Sequence, residues 1–115
     1  MKVAICDDKE IYLKHAYDML QTMDDIEAVA GFTKASDLLK RIEAGEKYDL
    51  ILMDIQMPIL NGYEATKKIR QLENRKKAEI PILAMTANAF SEDQQAALEA
   101  DMNDHVAKPI DMNVL

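Results

Sequence analysis

Leu50-Ile51-Leu52-Met53, closed by Asp54, is the run on which the fold turns. It is the most apolar stretch of the chain and has no polar alternation. A strand of this kind has to be covered on both faces, as in a parallel sheet sandwiched between helices. Upstream, Val3 to Cys6 reads the same way and is closed by Asp7-Asp8. Downstream, Ile80 to Met85 is a further strand, opening with Pro81 where a missing amide costs least. Ile26 to Phe32, with Gly31 inside it, and Val106-Ala107, ending at Lys108-Pro109, read as weaker strands. Between them the apolar spacing turns helical. One stripe is Leu13, Ala16, Tyr17 and Leu20, and a second is Ala35, Leu38, Leu39 and Ile42. Thr33 is the expected N-cap of the second helix, with Gly45 just past its end. Pro58, Asn61 and Gly62 mark a loop before a third helix carrying Ala65, Ile69 and Leu72. Ser91 to Asp101 is a fourth helix with Ser91 as its N-cap.

The result is βαβαβαβαβ, with short connections and no linker or repeat, so residues 1–115 are expected to form one domain. Strict alternation predicts an α/β fold with a parallel sheet and helices on both faces. Ligands of such sheets bind outside the carboxyl ends of the strands. Asp7, Asp8, Asp54, Thr86 and Lys108 all fall there.

Composition narrows the function. A net charge of -7 argues against direct nucleic-acid binding. No apolar run approaches the roughly 20 residues of a membrane span, and Val3 to Cys6 is too short for a signal peptide. The single cysteine, Cys6, excludes an intramolecular disulfide and suits a reducing, cytoplasmic setting. Three crowded carboxylates need protons or a cation. Oxygen ligands without a Cys or His cluster suit Mg²⁺ better than zinc. A carboxylate-bound metal beside a lysine and a threonine is a site for a phosphoryl group. With no activated Ser, Cys or His, the nucleophile should be a carboxylate, forming an aspartyl phosphate.

Asp7-Asp8, Met53-Asp54-Ile55-Gln56-Met57-Pro58, Asn61-Gly62, Met85-Thr86-Ala87-Asn88 and Lys108-Pro109 together resemble the motif set of response-regulator receiver domains, over essentially the whole chain. The resemblance implies a flavodoxin-like five-stranded sheet of order 2-1-3-4-5. It implies Asp54 as phosphoacceptor, with Mg²⁺ held by Asp8, Asp54 and the Gln56 backbone carbonyl, and by Asp7 through water. Thr86, Ala87, Lys108 and His105 would form the phosphoryl-binding and switch set, and Gln56 and Asn88 would tune the phosphoryl lifetime. The Lys108-Pro109 bond would be cis. The donor would be a histidine kinase or histidine phosphotransfer domain, and the surface around the fourth helix and fifth strand would signal to an output domain or partner outside this chain. The domain would be a switch that supports its own phosphotransfer and slow dephosphorylation, not a turnover enzyme.

Two sub-family signals conflict. Val3 to Asp8 is similar to regulators with a LytTR-type output domain, whereas Met85 to Phe90 and Asp104 to Ile110 are similar to receivers of hybrid histidine kinases. His105 stands where most receivers have Tyr or Phe, and it can titrate near neutral pH. Asp101 stands where hybrid-type receivers have Gly, and Asp tolerates the left-handed conformation better than most residues. Two other classes fare worse. Haloacid-dehalogenase-like phosphohydrolases want an Asp where Gln56 stands, and a binding-only pseudo-receiver would have lost Asp8, Asp54 or Lys108. Plainer roles are assigned elsewhere: Cys6 as a small core residue, His15 as solvated, the scattered methionines as core filling, and Asn74 to Lys77 as the solvated end of a helix. Only Ile110 to Leu115 remain for the family's last helix, which is therefore expected to be truncated. That would expose an apolar patch beside strands four and five, with homodimerisation or lost stability as the consequence.

Overall fold

A computed structural model describes residues 1–55, 57, 60–86 and 91–107, with the backbone alone at 75, 86, 91–94 and 107. Five strands, β1 (Lys2–Cys6), β2 (Ala28–Phe32), β3 (Leu50–Asp54), β4 (Ile82–Thr86) and β5 (Asp104–Ala107), form one parallel sheet in the order β2-β1-β3-β4-β5. The helices among the described residues are α1 (Glu10–Gln21), α2 (Ala35–Glu43), α3 (Gly62–Arg70), the single turn α4 (Arg75–Ala78) and α5 (Ser91–Glu99). The central position of Leu50 to Met53 and the expected strand order are both observed.

Successive side chains of a strand point to opposite faces, and here both faces are apolar. Ala4, Cys6, Ile51, Met53, Ile82 and Ala84 pack with Leu38 and Ile42 of α2, Ala65 and Ile69 of α3, and Ala97 of α5. Val3, Ile5, Leu52, Met85 and Val106 form the opposite cluster with Ala16 and Leu20 of α1. Ile51, Leu52 and Met53 are fully buried, each contributing about 1.5–3 kcal/mol. The apolar patch expected beside β4 and β5 is not exposed: Met85 and Val106 are 1% and 5% exposed, and Leu83 is half-buried. Met85 and Val106 belong to the α1-side cluster, and Leu83 packs against it. The expected truncated helix over residues 110–115 lies outside the described residues.

Several boundaries differ from expectation, each for a local reason. α2 starts at the buried Ala35, so Lys34, not Thr33, occupies the N-cap, and it makes no side-chain cap bond. Asn61 and Gly62 are not simply loop. The Asn61 Oδ1 accepts the Glu64 N–H at 2.9 Å and caps α3, which begins at Gly62. Asn74 to Lys77 is not the end of that helix. α3 stops at Arg70, and the Asn74 side chain accepts the Lys76 and Lys77 amides, starting α4 as a separate turn. β2 starts at Ala28, and β5 extends back to Asp104 because Asp104 and His105 pair with Leu83 and Ala84. Tyr17 is 38% exposed, at the edge of the α1 stripe.

α2 and α5 end alike. After α2, Gly45 at φ 108° donates to Ile42 and Glu46 donates to Arg41. After α5, Asp101 at φ 67° donates to Leu98 and Met102 donates to Ala97. Both are Schellman turns, in which a left-handed residue satisfies the last carbonyls. Asp101 takes up the left-handed conformation expected of it.

Candidate functional site

The site is built where β1 and β3 end. The Asp7 amide still donates to the Phe32 carbonyl at 3.0 Å, and Ile55 donates to Met85 at 3.3 Å, so the ladder holds the backbone up to the acidic residues. Asp7 and Asp54 are 0% and 1% exposed, and Asp8 is half-buried. One carboxylate oxygen from each lies within 4.8 Å of the others. Asp7 Oδ1 also accepts the Lys9 amide at 3.0 Å, fixing its carboxylate at the turn into α1. Asp8 Oδ1 is buried and has no hydrogen-bond partner among the described residues. A desolvated carboxylate oxygen in that state is costly unless a cation meets it. The cluster therefore fits a hard divalent ion with oxygen ligands.

The same charges act on Cys6. Burial first, then Asp54, Asp7, Asp37 and Asp8, push its thiol from 9.0 up to about 12. Cys6 is a neutral core thiol, 3.7 Å from the Met57 sulfur, as expected of a small hydrophobe. A cleft of about 400 Å³ opens beside the carboxylates, lined by Asp8, Glu10, Thr33, Lys34, Met57 and Leu60 among others.

Gly62 has a role that was not legible as a loop residue. A Cβ there would lie 2.5 Å from the Asp54 carbonyl oxygen and 2.8 Å from Ile55 Cα. α3 thus rests directly on the backbone that presents Asp54. The available signal was a glycine following an N-cap asparagine, a position where glycine otherwise only weakens a helix.

Thr86 ends β4 opposite Ala107, beside the Asp54–Met85 pair. His105 lies in β5 in register with Ala84 and is half-buried, with Nδ1 3.4 Å from Asp104 Oδ1. His15 is exposed, as expected. Gln56, Ala87, Asn88, Lys108 and Pro109 lie outside the described residues, as does the side chain of Thr86. The structure brings Asp7, Asp8 and Asp54 together.

The sequence pattern of the response regulator receiver domain matches residues 3–115. The chain belongs to the receiver-domain family. This receiver is 39% identical to part of hybrid signal transduction histidine kinase L of Dictyostelium discoideum, over 95% of its own length and 6% of the relative's. It is 34% identical to part of the sensor protein GacS of Pseudomonas syringae pv. syringae, over 95% of its length and 12% of the relative's. It thus spans a small fraction of these relatives. The receiver domain of a sensor histidine kinase from Pseudomonas aeruginosa, solved with a magnesium ion coordinated in its active-site cleft, superposes with a TM-score of 0.82 at 34% identity, covering 96% of this receiver and 86% of that chain. As a receiver, the chain is a phosphorelay signalling domain of the phosphoacceptor-switch type. No described helix is long and apolar enough to cross a membrane.

Proposed function

We propose that Asp54 accepts a phosphoryl group from a phosphohistidine, and that the change is passed to the surface formed by α5 and β5. The observation that carries this reading is the cluster of Asp7, Asp8 and Asp54, with oxygens within 4.8 Å at the carboxyl edge of the sheet. In the transfer, an Asp54 oxygen bonds to phosphorus as the bond from phosphorus to the donor imidazole nitrogen breaks. The nitrogen keeps the electron pair. Asp8, Asp54 and the Gln56 backbone carbonyl would hold Mg²⁺, with Asp7 acting through water. When bound, the ion neutralises charge on the phosphoryl oxygens. The buried Asp8 oxygen, without a hydrogen-bond partner among the described residues, supports this assignment. Lys108 and Ala87 would bind the phosphoryl oxygens, Thr86 would move toward them, and His105 would respond on β5. Gln56 and Asn88 would set the lifetime of the acyl phosphate. Slow self-hydrolysis would reset the switch, with no metabolite turned over.

The relatives favour a hybrid histidine kinase as the parent protein over a LytTR-type regulator. The donor would then be a kinase or phosphotransfer domain, and the signalling surface would act on a partner outside this chain. Residues 1–115 would form one receiver unit on the cytoplasmic side.

Incubation with Mg²⁺ and acetyl phosphate should add one phosphoryl mass, labile to alkali. Asp54→Asn should abolish it. Equal labelling of the variant would overturn the assignment.

A further inference from the structure

Arg70, the last residue of α3, gathers the pole of the sheet opposite the carboxylates. Its Nε donates to the Asp101 carbonyl at 3.0 Å, Nη1 to the Ala78 and Ile80 carbonyls at 2.8 and 2.7 Å, and Nη2 to Asn103 Oδ1 at 2.9 Å. All these acceptors are neutral oxygens. The same Asn103 oxygen accepts the Ile82 amide at 2.8 Å, and the Asn103 amide donates back to Ile82 at 2.8 Å. One guanidinium therefore ties the end of α3, the end of α4, the first residue of β4 and the turn from α5 into β5. Burial lowers the affinity of this guanidinium for its proton, and the four bonds offset that desolvation. The turn it holds contains the left-handed Asp101.

α5 starts at Ser91, after the carboxyl end of β4, and runs back about 13 Å to this turn at 1.5 Å per residue. Its two ends face different constraints. The amino end follows the phosphorylation edge of the sheet, and the carboxyl end is fastened to three other elements. We infer that Arg70 makes the Asp101–Asn103 turn a fixed pivot, so that α5 answers phosphorylation by tilting about its carboxyl end. Leu98, 61% exposed in the last turn, stays nearly in place, and the displaced surface is the amino-terminal part of α5. This inference rests on the proposed phosphorylation of Asp54 for its trigger, but not for the clamp itself.

Amide hydrogen exchange read residue by residue by NMR tests both parts on the full chain. In the resting state, Arg70→Met should speed exchange at Ile82, Asp101, Met102 and Asn103 by about tenfold while leaving Gln95 to Ala97 nearly unchanged. Arg70→Lys, a point charge that cannot serve four acceptors, should fall between. On phosphorylation of the parent chain, with incorporation checked by mass, rates should change at Gln95 to Ala97 and stay constant at Met102 and Asn103. In Arg70→Met the change should spread into that turn. A merely structural arginine would alter the turn equally with and without the phosphoryl group. Resting exchange at the turn that is indifferent to Arg70, or a parent chain whose turn changes most on phosphorylation, overturns the pivot. Failure to incorporate a phosphoryl group refutes the Asp54 reading separately, while the resting comparison still decides the clamp.

Discussion

Asp8 differs from its neighbours in what holds it. Asp7 is fixed by the Lys9 amide, whereas Asp8 Oδ1 is buried without a hydrogen bond among the described residues. Asp8→Ala should therefore weaken Mg²⁺ binding by more than the roughly 10–100-fold typical of outer-shell partners. It should leave the metal-free chain as stable as before or more so, because one of three repelling charges is gone. Calorimetric Mg²⁺ titration and metal-free thermal unfolding read the two effects. Unchanged affinity would remove Asp8 from the metal site.

The decisive contact between elements is α3 against the end of β3. At Gly62 an added methyl meets the backbone of Asp54 and Ile55, which cannot rotate away, so the helix must shift. Gly62→Ala should cost about 1–3 kcal/mol, the range for overpacking, and should also slow phosphorylation, since the displaced atoms carry Asp54. Gly31 provides the contrast. The nearest atoms a Cβ there would meet belong to the Leu13 side chain, 3.3 Å away and able to move, so Gly31→Ala should be tolerated. Urea unfolding midpoints of the two variants check the ranking, and equal midpoints would refute it.

At the scale of the whole molecule, Cys6 reports on global opening. It is completely buried in β1, a strand paired on both sides, with β2 and with β3. Reaction with iodoacetamide near neutral pH should be at least about three orders of magnitude slower in the folded chain than in urea, because exposing β1 requires unfolding. The thiol's raised pKa adds a pH term of defined sign. The stability gained by keeping it neutral is full below its ordinary value of 9.0 and is lost as pH climbs toward about 12. Chain stability followed through that alkaline window should fall less steeply in Cys6→Ala. Fast native labelling would show that β1 opens locally.

Much of this was legible in the sequence, because it depends on periodicity and chain order. Continuous apolar runs in β1, β3 and β4 announced a sheet buried on both faces, and their closing residues announced which side chains share its carboxyl edge. Asp101 could be read as a left-handed residue because the receivers it resembles carry Gly there and Asp tolerates that conformation. What depends on distance through space was not legible. Gly62 looked like a loop residue until α3 was seen to rest on the Asp54 backbone. Thr33 looked like a cap, but α2 starts one residue later, with Lys34 at the N-cap. Nothing in the sequence pattern singles out Arg70. Its four acceptors come from segments 8 to 33 residues further along the chain, and folding alone brings them to one guanidinium.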